Sequence, residues 1–125
     1  MSDIFTEAYI ACALWSSSEG DQGEIRLDEH DGDIAPDTLR EMEESCAEFQ
    51  AANADLLQQW YDHGETEERA GHDFWLTRNH HGAGFWDRFY GDQPAARVGK
   101  ALTEAAHAEG SRDLYIGDDG LIYQA

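Results

Sequence analysis

The sequence predicts an α+β domain with about three helices packed on a small antiparallel sheet made of two hairpins, in one unit spanning residues 1–125. Three observations carry this expectation. Apolar residues recur at helical spacing near residues 3–16, 36–60 and 94–109. Residues 72–89 and 113–124 instead combine strand-forming side chains with turn residues between them. A chain of 125 residues also has the usual size of a single domain, and can bury a core without disulfide or metal staples.

The first helix rests on Ile4, Ala8, Ala11, Cys12 and Trp15, with Phe5 and Tyr9 widening the stripe and Ser2 or Asp3 available as cap. "SSSEGDQG" is a loop by composition. "EIRLDEHDGDIAPD" is acidic and carries isolated aliphatics at Ile25, Leu27 and Ile34, the pattern of an extended segment pinned by a few side chains. Pro36 suits the first position of a second helix, with Asp37 at the positive end of its dipole.

That second helix, residues 36–60, repeats Leu39, Met42, Cys46, Phe49, Leu56 and Trp60 and is interrupted only by Asn53. Asp37, Glu41, Glu44 and Glu48 keep the same spacing, offset by two residues, or about 200° of helix. The acidic stripe therefore lies nearly opposite the apolar one. A polar connection over residues 61–71 leads to "HDFWLTRNHHGAGFWDRF". Here Phe74, Trp75, Leu76 and Thr77 favour a strand, residues 79–83 a turn, and Gly84, Phe85 and Trp86 a return strand.

With a loop of residues 80–83, Thr77 would face Trp86 and Trp75 would face Arg88, and Phe74, Leu76, Phe85 and Phe89 are expected to meet the helices. Its aspartates and arginines are expected to pair with one another. The third helix starts after Asp92 or Gln93 with Pro94 as an early position. It runs on Val98, Ala101, Leu102, Ala105 and Ala106, and Gly110 ends it. The C-terminal hairpin turns at Asp119-Gly120, with Leu114, Ile116, Leu121 and Tyr123 expected on its buried face.

Charge is the outstanding bulk property, with 27 Asp and Glu against 8 Lys and Arg and a net of −19. Direct binding to nucleic acid, heparin or anionic lipid is disfavoured, because each presents the same sign of charge. The charge is uneven. Residues 1–60 hold −13 and residues 61–125 hold −6, and residues 19–48 alone reach −10. No apolar run has membrane-spanning length and the N-terminus lacks the basic start of a secretory signal, so a soluble, cytoplasmic protein is expected. Cys12 and Cys46 form neither a CxxC nor a metal-ligand pattern and read as reduced core thiols.

Four stretches, "EAYIACALW", "DIAPDTL", "AGHDFWLTRNHHGAGFWDR" and "DLYIGDDGLIY", together resemble a family of small proteins encoded by bacteriophages and prophages. The resemblance covers most of the chain. It implies a genomic setting and no catalytic residues, since the family carries no assigned activity. Its members usually have glycine where this chain has His80, giving Asn-Gly-His-Gly at the tip of the central motif.

No cofactor, metal site or catalytic set is expected. His72 and His80 lie too far apart on an extended strand for one ion, no serine sits in a GxSxG elbow, and "GAGFWD" lacks the lysine of a phosphate loop. The expected functional surface is acidic: Asp28, Glu29, Asp31, Asp33, Asp37, Glu41, Glu44 and Glu48. Such a surface can meet the basic groove of a host nucleic-acid-binding protein by imitating phosphates, which fits an anti-CRISPR or anti-restriction factor acting in the infected cell. Two alternatives stay open. One is a halotolerant phage accessory protein, in DNA metabolism or virion assembly, whose acidity serves solubility. The other is a small hydrolase or transferase centred on His72, Asp73, Arg78 and His81.

Overall fold

In a computed structural model, residues 3–19, 25–81 and 84–125 are described. Ser2 as a cap, the "GDQG" part of the loop (residues 20–23) and residues 82 and 83 of the central motif lie outside the described residues. The fold is α+β. Among the described residues there are five α-helices: α1 (Ile4–Ser16), α2 (Pro36–Ala52), α3 (Ala54–Asp62), α4 (Glu67–Arg78) and α5 (Pro94–Ala108). Two antiparallel pairs accompany them, β1 (Ser18–Glu19) with β2 (Ile25–Arg26) and β3 (Leu114–Ile116) with β4 (Ile122–Gln124). No helix among the described residues is long and apolar enough to cross a membrane.

The expected three helices become five for two physical reasons. Asn53 divides the long second helix: its backbone leaves helical geometry at ψ 26°, and its side-chain Nδ2 donates to the Phe49 carbonyl at 2.9 Å. An asparagine that can satisfy the backbone in this way competes with helix continuation. The second reason is a correction. The central motif is not a hairpin, because residues 67–78 form α4 and Phe85–Asp87 a 3-10 turn. Thr66 caps α4 by accepting from the Arg69 N–H at 3.1 Å, and Glu67 and Glu68 occupy its positive first turn. From Asp73 to Arg78 every residue is buried, so the helix shows no amphipathic period and its apolar run reads locally as a strand.

The cross-strand pairs expected of that hairpin fall with it. Trp75 is buried and donates Nε1–H to Ser16 Oγ at 2.8 Å, whereas Trp86 is half exposed. Phe74, Leu76 and Phe85 are nonetheless in the core, and Phe89 packs edge-on to Trp60. At the end of α4, His81 N–H bonds the Leu76 carbonyl at 2.8 Å and His80 N–H the Thr77 carbonyl at 3.0 Å. This is a Schellman cap, with His80 at the position that usually holds glycine and with φ at 58°.

An aromatic centre joins the helices. Phe49 of α2 stacks on Phe74 of α4 at 4.0 Å between centroids, and Phe5, Tyr9 and Phe85 close around them. Asp3 caps α1 by accepting from Thr6 N–H at 2.8 Å and also receives Gln50 Nε2–H from α2. The buried side of α1 is Phe5, Tyr9, Cys12 and Ala13, while Ile4 and Trp15 from the expected stripe stay more than half exposed. Gly71 lets α1 and α4 approach closely: an added Cβ would overlap the Phe5 carbonyl oxygen and lie 2.8 Å from its carbon.

The C-terminal hairpin forms as expected but one residue out of the anticipated register. Ile116 pairs with Ile122 across a five-residue loop, so Ile122 is buried and Leu121 and Tyr123 are not. A slip of one residue exchanges the faces of a strand. Tyr115 and Tyr123 therefore stack on the outer face at 5.8 Å. The hairpin is tied to the chain before α2 by a parallel bridge between Ile34 and Ile122.

Candidate functional site

All eight carboxylates expected to form the acidic surface are exposed. On α2 the reason is the register of the helix: Met42, Cys46 and Phe49 enter the core, which leaves Asp37, Glu41, Glu44 and Glu48 facing outward. Eleven residues separate the first and last of these, about 16 Å of helix axis. Asp28, Glu29, Asp31 and Asp33 sit on the segment leading into α2, around a 3-10 turn at Leu27–Glu29.

Tertiary structure enlarges this surface with residues that spacing did not single out. His30 Nε2–H donates to the Gly120 carbonyl at 2.8 Å, and Ile122 N–H to the Asp33 carbonyl at 2.9 Å. These bonds set the exposed Asp118 and Asp119 of the hairpin turn beside the acidic segment. Asp119 accepts from the Tyr123 hydroxyl and from Leu121 N–H, which hold its carboxyl below the usual range. Two arginines partly offset the charge. Arg26 bonds Asp28 through Nε at 3.1 Å and Nη2 at 2.7 Å, holding that carboxyl low as well, and Arg40 reaches Asp37 at 3.1 Å.

No protein-family model, curated protein or solved structure matches this chain.

The central motif holds a second polar cluster. Asp73 is fully buried and receives Nε–H and Nη2–H from Arg88 at 2.9 and 2.6 Å, one aspartate-arginine pair of those expected within the motif, whereas among the described residues Arg78 pairs with no aspartate. Burial drives the Asp73 carboxyl above its ordinary value, and the Arg88 hydrogen bonds oppose that rise. Glu65 comes within 3.9 Å of Arg88 and 3.5 Å of Arg69. Beside this cluster a cleft of about 430 Å³ opens between α1 and α4, lined by Ala8, Ala11, Thr66, Arg69, His72 and Arg88. Sequence reasoning did not identify Glu65 and Arg88 as members of one cluster, because they stand 23 positions apart with α4 and the Phe85–Asp87 turn between them.

The four residues of the hydrolase alternative are not brought together. His72 lines the cleft near Trp15 and Asp73 lies beneath it, engaged by Arg88. Arg78 is buried elsewhere, donating to the Gly110 and Glu109 carbonyls at 2.8 and 3.1 Å and to the Tyr9 hydroxyl at 3.0 Å, above the Phe74 ring. There it neutralises the negative end of α5. His81 is exposed beyond the α4 cap. His80 stacks on His107 at 4.2 Å, and among the described residues no three His, Cys, Asp or Glu converge as a metal site. Both cysteines are free and buried, and burial pushes their thiols up to about 12, which removes the thiolate a nucleophile needs.

Proposed function

We propose that this chain is a phage-encoded binding protein that acts through its acidic face. Its partner is the basic surface of a host nucleic-acid-binding protein of the anti-phage defence, and it occupies that surface in place of nucleic acid. The observation that carries this reading is the convergence of separate acidic segments. His30 and Asp33 of the loop before α2 are hydrogen-bonded to the hairpin that carries Asp118 and Asp119, and Gln124 of the same hairpin donates to Glu41 on the outward side of α2 at 3.4 Å. A protein built this way offers rows of carboxylates to a groove that reads phosphates, and electrostatic complementarity raises the rate of encounter.

Replacing Asp37 by Asn and Glu41, Glu44 and Glu48 by Gln tests the reading. All four side chains are exposed, so folding is expected to survive. The parent protein, used as bait in host lysate, should capture nucleic-acid-binding proteins at low salt and release them as salt screens the charge. The fourfold variant should capture little at either salt. Equal capture by the variant would exclude the acidic face as the binding surface.

A second reading has its own support. Exposed carboxylates also occur at Asp55 and Asp62 on α3, Glu67 on α4, Glu104 on α5 and Glu109 at its C-terminal cap. A halotolerant accessory protein would carry charge in that dispersed manner, and the fourfold variant would then keep every partner and gain stability at low salt.

A further inference from the structure

Within the acidic face lies a hollow of about 490 Å³ whose floor is aliphatic. Leu14 of α1, Leu27, Ile34, Leu39 of α2 and Ile122 of β4 form that floor. Leu27 and Ile122 are buried, but Leu14, Ile34 and Leu39 are only partly covered and leave apolar surface open to solvent. Asp28, His30 and Asp33 stand on its rim. His30 donates Nε2–H to the Gly120 carbonyl at 2.8 Å, which fixes the ring at the rim. Among the described residues no lysine or arginine lines the hollow; Asp28 is already engaged by Arg26 at 2.7 Å, whereas Asp33 makes no ion pair.

The rim is built by backbone bonds. Ile122 N–H donates to the Asp33 carbonyl and Ala35 N–H to the Ile122 carbonyl, both at 2.9 Å. Gly32 fits so closely that an added Cβ would overlap the Gly120 carbonyl oxygen and come within 2.7 Å of His30 Nε2. A preformed hollow loses little freedom on accepting a ligand. Carboxylates alone would favour any cation anywhere on this face. An aliphatic floor beneath a rim that holds the unpaired Asp33 carboxylate is more selective, since it suits a group with a methylene stem and a cationic head.

We infer that this hollow is the seat of an arginine side chain from the basic partner, a deepening that rests on the acidic-face reading. The stem lies along Leu14, Ile34 and Leu39 and the guanidinium reaches Asp33. Arginine fits better than lysine because its planar head is less strongly hydrated and donates to a carboxylate with two parallel N–H groups. Arginine is also abundant where proteins contact phosphates.

Titration of the ¹⁵N-labelled protein at physiological salt tests this with three probes: N-acetyl-arginine methylamide, its neutral citrulline counterpart, and guanidinium ion without a stem. The arginine compound should shift the amides of Leu27, Ile34 and Ile122 saturably. Citrulline should bind several-fold more weakly for want of charge, and guanidinium for want of a stem. Asp33→Asn, an exposed and nearly isosteric change, should weaken the arginine compound about two- to fivefold. Equal binding of citrulline, shifts scattered over all carboxylates without saturation, or no shifts at these amides would each overturn the proposal. The two readings fail separately. Absence of a saturable arginine site removes the hollow whatever the lysate shows, and capture by the fourfold α2 variant removes the acidic face whatever the titration shows.

Discussion

Replacing Arg88 with alanine leaves Asp73, fully buried, without the guanidinium that donates to both of its oxygens. Breaking a buried ion pair from one side typically costs ~3–5 kcal/mol. The Arg88 side chain is 26% exposed, so the lower end applies, about 3 kcal/mol at neutral pH. For a chain of this size that is a fall in Tm of about 12 °C. The deficit should depend on pH in a defined direction. Burial already raises the Asp73 carboxyl above 3.8, and removal of Arg88 takes away the main opposing influence, so its folded value climbs further. A carboxyl raised on folding contributes stability that is complete below its unfolded value and is lost as pH rises through its folded value. The gap between parent and variant should therefore be widest near pH 7 and shrink as pH falls toward 4. Urea titrations of both proteins at several pH values measure that gap, and titrations common to both cancel in the difference. Asp73→Asn in the Arg88→Ala background should recover part of the loss and flatten its pH dependence. A deficit identical at pH 4.5 and 7.5, or a double variant as weak as the single one, would refute the account of this pair.

Three further outcomes follow from packing and titration. Gly71→Ala should destabilise by about 2 kcal/mol or more in urea unfolding, although alanine is favoured by about 1 kcal/mol in a helix, because the obstacle is the Phe5 backbone and cannot rotate away; a neutral result would contradict the close approach of α1 and α4. At position 80, glycine should be more stable than alanine by about 1 kcal/mol, since both lose the stack on His107 but only glycine tolerates φ of 58° without cost; the reverse order would argue against the Schellman cap. Above pH 9 the unfolded thiols ionise while those of Cys12 and Cys46 stay protonated to about 12, so folding should weaken by about 1.4 kcal/mol per pH unit per thiol. Iodoacetamide should accordingly label neither cysteine in the native protein at pH 8, and rapid native labelling would contradict their burial.

Residues that act through their own helix were legible in the sequence. The α2 stripe, the proline starts of α2 and α5 and the Asp3 cap follow from local spacing and hydrogen-bonding chemistry. The acidic surface was legible in the same way, because exposure of Asp37, Glu41, Glu44 and Glu48 follows from burial of Met42, Cys46 and Phe49 on the other side of one helix. The central motif was not. Local propensity favours a strand over residues 74–77, and the cues to a helix were the capping Thr66 and its two following glutamates, outside the quoted motif. The glycine that the phage-family resemblance places at position 80 was itself an indication of left-handed backbone, and it marks a helix end instead of a hairpin tip.

The sequence by itself determined the class of fold, the reduced and buried cysteines, and the position of the acidic stripe, all of which depend on periodicity and composition within single elements. Only the tertiary structure decided that α4 is buried from Asp73 to Arg78, that Arg88 reaches Asp73, and that the hairpin lies beside the acidic loop to enclose an aliphatic hollow. Each of these depends on side chains far apart in the chain meeting in a shared core. A helix buried on every side has no period to read, and a hollow lined from four separate segments has no spacing at all.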